Sequence, residues 1–144
     1  MLTKEILRIK GNELITVSPE TSLAEALATM ADRDIGSLVV MEGEALVGML
    51  TFRELLRAVR KAGPGFEKLA VKEVMVRQPT VVGTDMEVDA LRRVMIDVHC
   101  RYVPVREGDT LVGVLSFHDV AKAVLEEQSF ENRMLKGYIK NWPE

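Results

Sequence analysis

Cysteine is nearly missing from this chain: Cys100 is the single one among 144 residues. One thiol cannot close an intrachain bridge, so no disulfide framework holds the fold, and a reducing compartment, the cytoplasm, is the expected address. Histidine is equally sparse, with two in the chain. There is no Cys-x-x-Cys, no His-Glu-x-x-His and no Walker-type glycine-rich loop, which removes the usual signals for a metal centre or a P-loop. His99-Cys100 is the remaining pair of that chemistry, and neighbours on a strand would point to opposite faces. No metal site and no catalytic role are expected. An excess of positive charge is also absent: the net charge is -3 and the pI about 5.5, so a nucleic-acid binder with a broad basic face is not expected. The first residues, Met1-Leu2-Thr3-Lys4-Glu5, lack an apolar signal run, and no segment is long and apolar enough to span a bilayer.

What the chain does have is a repeat. Leu46-Val47-Gly48-Met49-Leu50-Thr51-Phe52-Arg53-Glu54 returns as Leu111-Val112-Gly113-Val114-Leu115-Ser116-Phe117-His118-Asp119. Residues 14–59 align without a gap on residues 79–124, with about thirteen identities. Self-similarity at a fixed offset means a duplicated supersecondary unit. Two copies are too few for a solenoid, and they are expected to face each other across a pseudo-twofold axis, leaving two related clefts.

Each unit reads β-α-β-β-α. In the first, Ile15-Thr16-Val17 is stopped by Ser18-Pro19. Ser22-Leu23-Ala24-Glu25 has capping-box spacing ahead of Leu23, Ala26, Leu27 and Met30 at helical intervals. Ile35 and Leu38-Val39-Val40 suit a buried strand, Glu42-Gly43-Glu44 a turn, and Leu46 to Leu50 the returning strand. Phe52, Leu55, Leu56 and Val59 mark a second helix ending near Gly63-Pro64-Gly65. The second unit repeats this order from Val81-Val82, with Val71-Lys72-Glu73-Val74-Met75 as a helical lead-in. Gly48 and Gly113 are read as points of close backbone approach within the hairpins, and the eight methionines as core filler. The expected fold class is α/β (α+β), with repeat 1 over 1–62, a linker over 63–70, repeat 2 over 71–125 and a helical tail over 126–144. In the tail, Phe130, Met134, Leu135, Tyr138 and Ile139 form an apolar stripe, expected to pack on its own domain, a partner contact being the other reading.

The doubled β-α-β-β-α order, the Val71-Lys72-Glu73-Val74-Met75 lead-in, Tyr102-Val103-Pro104-Val105 and the two Leu-Val-Gly segments together resemble a tandem pair of cystathionine β-synthase (CBS) domains, a Bateman module. The resemblance covers residues 4–125 and looks like a stand-alone module. It implies a non-catalytic sensor that binds AMP, ADP, ATP or a similar adenine compound, with S-adenosylmethionine or NAD as further candidates, between the repeats. It also implies association as a homodimer of pairs and an unknown regulated protein. The alternative is a structural or protein-interaction module with empty clefts.

Thr51 and Ser116 each precede a helix by one residue, with Glu54 and Asp119 three positions on. A hydroxyl N-cap with an acid in the first turn starts a helix well. The same helix N-terminus offers unpaired N–H groups to a phosphate, and the acid offers acceptors to ribose hydroxyls. The resemblance gives these pairs phosphate and ribose contacts. It assigns the adenine slot to Thr16, Val17 and Val81 with Ile35, Gly36, Cys100 and Arg101. Arg53, Arg101 and His118 are expected at the cleft mouth, where guanidinium groups pair with phosphate. Because the family pattern has Asp where Glu54 stands, the cleft of Ser116 and Asp119 is the favoured one.

Overall fold

The computed structural model describes residues 1–11 and 13–140. A helix that the repeat did not announce, α1 (Thr3–Lys10), opens the chain. The first repeat follows as β1 (Thr16–Val17), α2 (Leu23–Arg33), β2 (Ser37–Glu42), β3 (Ala45–Thr51) and α3 (Phe52–Ala62). A 3-10 segment (Gly63–Lys68), α4 (Val71–Val74) and β4 (Val76–Arg77) lead across to the second. That repeat comprises β5 (Val82–Gly83), α5 (Val88–Val98), β6 (Tyr102–Glu107), β7 (Thr110–Ser116) and α6 (Phe117–Lys140). The last four residues of the expected tail lie outside the described residues.

Local chemistry accounts for the shared elements. Ser22 Oγ accepts the Glu25 N–H at 3.2 Å and starts α2, as the capping spacing requires. The two hairpin turns carry Gly43 at φ 63° and Gly108 at φ 61°, left-handed conformations that glycine adopts without steric cost. Both hairpins carry a register irregularity at the same repeat position, Val40/Met41 and Val105/Arg106. The helices α2 and α5 both end on a left-handed non-glycine residue, Asp34 and His99.

The strands form two sheets, ordered β1-β2-β3-β4 and β5-β6-β7. In each, a short parallel strand flanks an antiparallel hairpin. Helices cover the sheets and enclose two apolar cores. One gathers Leu23, Met30, Leu38, Leu50 and Leu55, the other Leu91, Met95, Val103, Leu115 and Val120.

The lead-in helices complete these cores across the repeat boundary. Ile6 and Leu7 of α1, 2% and 4% exposed, lie in the core of the second repeat, whereas Val71 of α4 lies in that of the first. Backbone bonds fix both placements: Thr3 N–H donates to Met86 O at 2.9 Å, and Val71 N–H to Thr21 O at 2.8 Å. Each half is therefore closed by a segment that precedes the other in the chain.

This swap corrects the reading of two glycines. A Cβ on Gly48 would meet Met75 Sδ at 2.5 Å, and one on Gly113 would meet Leu7 Cδ2 at 2.8 Å. Gly48 admits Met75 and the Val76 carbonyl of β4, and Gly113 admits Leu7; neither approach is of one hairpin strand onto the other.

The tail departs from its expected packing as well. It continues α6 as one helix of 24 residues, and Phe130, Met134 and Leu135 are 57%, 62% and 59% exposed. These three residues of the expected stripe are therefore not packed on their own domain.

Candidate functional site

Where α3 begins, the sheet of the first repeat meets the segment that enters β6 of the second. An open cavity of about 630 Å³ lies there, lined by Thr51, Phe52, Arg53, Glu54 and Arg57 from one side and by Thr80, His99, Cys100, Arg101 and Tyr102 from the other. Met49, Val76 and Val98 add apolar wall. The volume suits a small organic ligand.

The helix start is built as the capping spacing predicts. Glu54 Oε1 accepts from the Thr51 N–H at 2.8 Å and from Thr51 Oγ1 at 2.7 Å. Thr51 Oγ1 in turn accepts the Arg53 N–H at 3.3 Å. Glu54 is 5% exposed, a carboxylate whose burial is made tolerable by these donors. Arg53, Arg57 and Arg101 are exposed and bring positive charge to the cavity.

His99 and Cys100 line the cavity together, which corrects the expectation that strand geometry would separate them. They lie before β6: His99 is the left-handed C-cap of α5, and the turn directs both residues to one side. Burial pushes the Cys100 thiol up in pKa, against a smaller lowering by a backbone hydrogen bond. A thiol held protonated is a weak nucleophile. Burial also raises the Tyr102 phenol, with Arg101 opposing and Asp119 adding to the rise, so it stays a hydrogen-bond donor at neutral pH. Among the described residues no group of three or more His, Cys, Asp or Glu side chains could hold a metal ion, and no helix is long and apolar enough to cross a membrane.

Of the residues expected to bind, Thr51, Arg53, Glu54, Cys100 and Arg101 meet in this cavity. Thr16, Val17, Ile35, Gly36 and Val81 are not among its lining residues. Val17 and Ile35 pack against the first core, and Gly36 lies against the Tyr102 hydroxyl and the Phe52 ring. Phe52, Arg57, Thr80 and Tyr102 were not anticipated as lining residues. Tyr102 had a signal: its partner in the repeat alignment is Ser37, and so large a mismatch at matched positions marks a place where the halves differ.

Ser116, His118 and Asp119 occupy the related position in the other half, where a hydroxyl and an acid again cap the helix start. Ser116 N–H donates to Asp119 Oδ2 at 2.8 Å, and Asp119 N–H to Ser116 Oγ at 3.0 Å. Here, however, Lys10 Nζ donates to Asp119 Oδ2 at 2.6 Å and to Val114 O at 2.8 Å. Burial alone would raise the Asp119 carboxyl, but Lys10 and Ser116 outweigh it and hold it below the ordinary carboxylate value. Both acids are thus paired within the chain, Glu54 with Thr51 and Asp119 with Ser116 and Lys10; the charged partner is on Asp119, and the large cavity lies beside Glu54.

Two apposed copies of one α/β unit, with a cavity assembled from both, define the class: a tandem-domain module with a cleft between its halves. The CBS domain family model matches residues 5–61 and 71–126. The chain belongs to the CBS domain family and carries two such domains. The mitochondrial CBS domain-containing protein CBSX3 of Arabidopsis thaliana is 26% identical over 145 residues, spanning 94% of this chain and 70% of that protein. Among solved structures, the CBS-domain containing protein ATU1752 of Agrobacterium tumefaciens superposes with a TM-score of 0.82 at 31% identity, covering 85% of this chain and 98% of its own. CBSX2, solved in complex with AMP, superposes with a TM-score of 0.69 at 25% identity, covering 81% of this chain and 90% of its own.

Proposed function

We propose that this protein is a non-catalytic regulatory module that binds an adenine nucleotide in the cleft of Thr51 and Glu54. The observation that carries this reading is the two-sided cavity. A capped helix N-terminus and two arginines come from one repeat, and Thr80, Cys100, Arg101 and Tyr102 from the other. The start of α3 with Arg53, Arg57 and Arg101 suits a phosphate chain, because the positive end of a helix dipole and planar guanidinium forks both favour anionic oxygens. Tyr102 and the apolar Val76 and Val98 suit a flat base. The AMP held by CBSX2 supports the same ligand class.

A ligand seated there touches both repeats, so it favours whichever relative arrangement gives it more contact. Regulation follows from differential affinity for two arrangements. Exposed Phe52, Leu56 and Val59 on α3 and Ile96 and Val98 on α5 support a second copy as the cover for this side. The two would form a homodimer that transmits the arrangement to a regulated protein.

Calorimetric titration with AMP, ADP, ATP, NAD, S-adenosylmethionine and adenosine tests the reading. A phosphorylated adenine compound should bind more tightly than adenosine. At a hundredfold excess over Kd it should stabilise the fold by about 2.7 kcal/mol, a rise in Tm of roughly 5–11 °C for a chain of this size. Thr51→Val and Glu54→Ala should weaken binding at least tenfold. Absence of heat and of any Tm shift with every compound at millimolar concentration would overturn it.

A further inference from the structure

We propose that Lys10 is a built-in occupant of the second cleft, so that nucleotide binds in the first cleft and enters the second only when Lys10 is displaced. This inference rests on reading the first cleft as a nucleotide site. The internal repeat makes Ser116, His118 and Asp119 the counterparts of Thr51, Arg53 and Glu54, so the second cleft has the same helix-capping hydroxyl and acid. What differs is the company of the acid. The Lys10 ammonium sits 2.6 Å from Asp119 Oδ2, and such charge-assisted bonds are the strong ones among hydrogen bonds. Asp119 Oδ2 also accepts the Ser116 N–H, so a ligand hydroxyl that needs this oxygen must displace the ammonium.

The ammonium is delivered by a fixed element. Thr3 is fully buried and its Oγ1 donates to Met86 O at 2.8 Å. Lys4 N–H donates to Thr84 O at 3.0 Å, and Leu7 lies in the notch that Gly113 leaves open. Because α1 is anchored through Thr3, Lys4, Ile6 and Leu7, the backbone that carries Lys10 is already placed beside Asp119, and preorganised groups bind more strongly than free ones. The second bond, to Val114 O, has a structural meaning. The repeat partner of Val114 is Met49, which pairs with Val76 of β4. The second sheet ends at β7, and Lys10 takes the edge position that β4 holds in the first.

The chain after α4 behaves otherwise. It leaves the helix at Met75, pairs as β4 and passes Gln78 along the first cavity without placing an ammonium on Glu54. The start of α3 thus faces an open cavity, whereas the acid at the start of α6 holds an ammonium from its own chain. A ligand requiring free Asp119 binds with its affinity reduced to the fraction of molecules in which Lys10 has let go.

The test is the number of AMP and ATP equivalents bound per chain, by calorimetry and equilibrium dialysis, for the wild type and for Lys10→Met. The variant keeps the length of the side chain and removes only its charge, at a position 37% exposed, and a thermal melt confirms that it folds. The wild type should bind one equivalent. Lys10→Met should bind two, the second at least tenfold tighter than any second site in the wild type, and adding Asp119→Asn should remove it. One equivalent in both proteins, or two in the wild type, overturns the role of Lys10 while leaving the first-cleft reading in place. No binding by the wild type with one equivalent in Lys10→Met overturns the first-cleft reading and supports the role of Lys10. No binding by either protein overturns both.

Discussion

The Tyr102 hydroxyl of the second repeat lies against the Cα of Gly36 in the first, so close that any Cβ at Gly36 would collide with it. The same Cβ would stand 2.7 Å from Tyr102 Cζ and 2.9 Å from Phe52 Cε2. Gly36 is thus the seat on which an aromatic ring from the opposite half rests, beside the cavity.

Gly36→Ala should therefore destabilise the protein by about 1–3 kcal/mol, the usual cost of forcing atoms into packed space. Urea unfolding of Gly36→Ala, Tyr102→Ala and the double variant measures it. The double variant should cost less than the sum of the singles, because removing the ring removes the collision. Strict additivity would show that the ring does not rest on Gly36 in solution.

The crossed lead-in helices predict a second stability effect. Ile6→Ala should cost about 2–5 kcal/mol, as for other buried large-to-small changes, although residue 6 lies outside the aligned repeat. Hydrogen exchange should place the loss of protection in β6 and β7, not in β2 and β3. Loss confined to the first repeat would contradict the crossed packing.

Charge at the cavity should act on binding and leave folding alone. Arg53 and Arg101 are exposed and line the cavity; such surface changes usually move stability by no more than about 0.5 kcal/mol. Arg101→Ala is expected to weaken ATP at least tenfold and adenosine by less than twofold, with the melting curve unchanged. Equal losses for both ligands would remove the phosphate role of the guanidinium.

Asp119 sets a pH dependence with a definite sign. Its carboxyl is held below the ordinary value of 3.8 in the folded chain, so its contribution is complete above that value and is lost as pH falls through the lower folded one. The stability gap between wild type and Asp119→Asn should be widest at neutral pH and close as pH drops below about 4. Lys10→Met should narrow the gap at pH 7, since it removes one of the interactions that lower the carboxyl. A gap that widens toward acid would reverse the sign and refute the assignment.

Much of the fold was legible because its signals are local. The glycine turns, the Ser22 cap, and the Thr51 to Glu54 and Ser116 to Asp119 helix starts each depend on residues within a few positions of one another. The capped acids emerged where spacing put them. The helix α1 escaped because it lies outside the aligned repeat and, at eight residues, is too short to stand without the core it joins. The ranking of the clefts turned on Glu for Asp, a difference of one methylene. The structure shows a larger difference, an ammonium brought from 109 positions away.

By itself, the sequence determined the duplicated β-α-β-β-α unit, its turns and caps, and the two hydroxyl-acid pairs at the helix starts. Alternation, glycine conformation and capping act over a few residues and are written where they act. Only the tertiary structure decided that the lead-in helices cross between the halves, that Tyr102 rests on Gly36, and that Lys10 pairs with Asp119 while a cavity opens beside Glu54. Those contacts join residues far apart in the chain. They depend on how two nearly equal halves bury their apolar faces together, and no spacing along one chain encodes which distant side chain arrives.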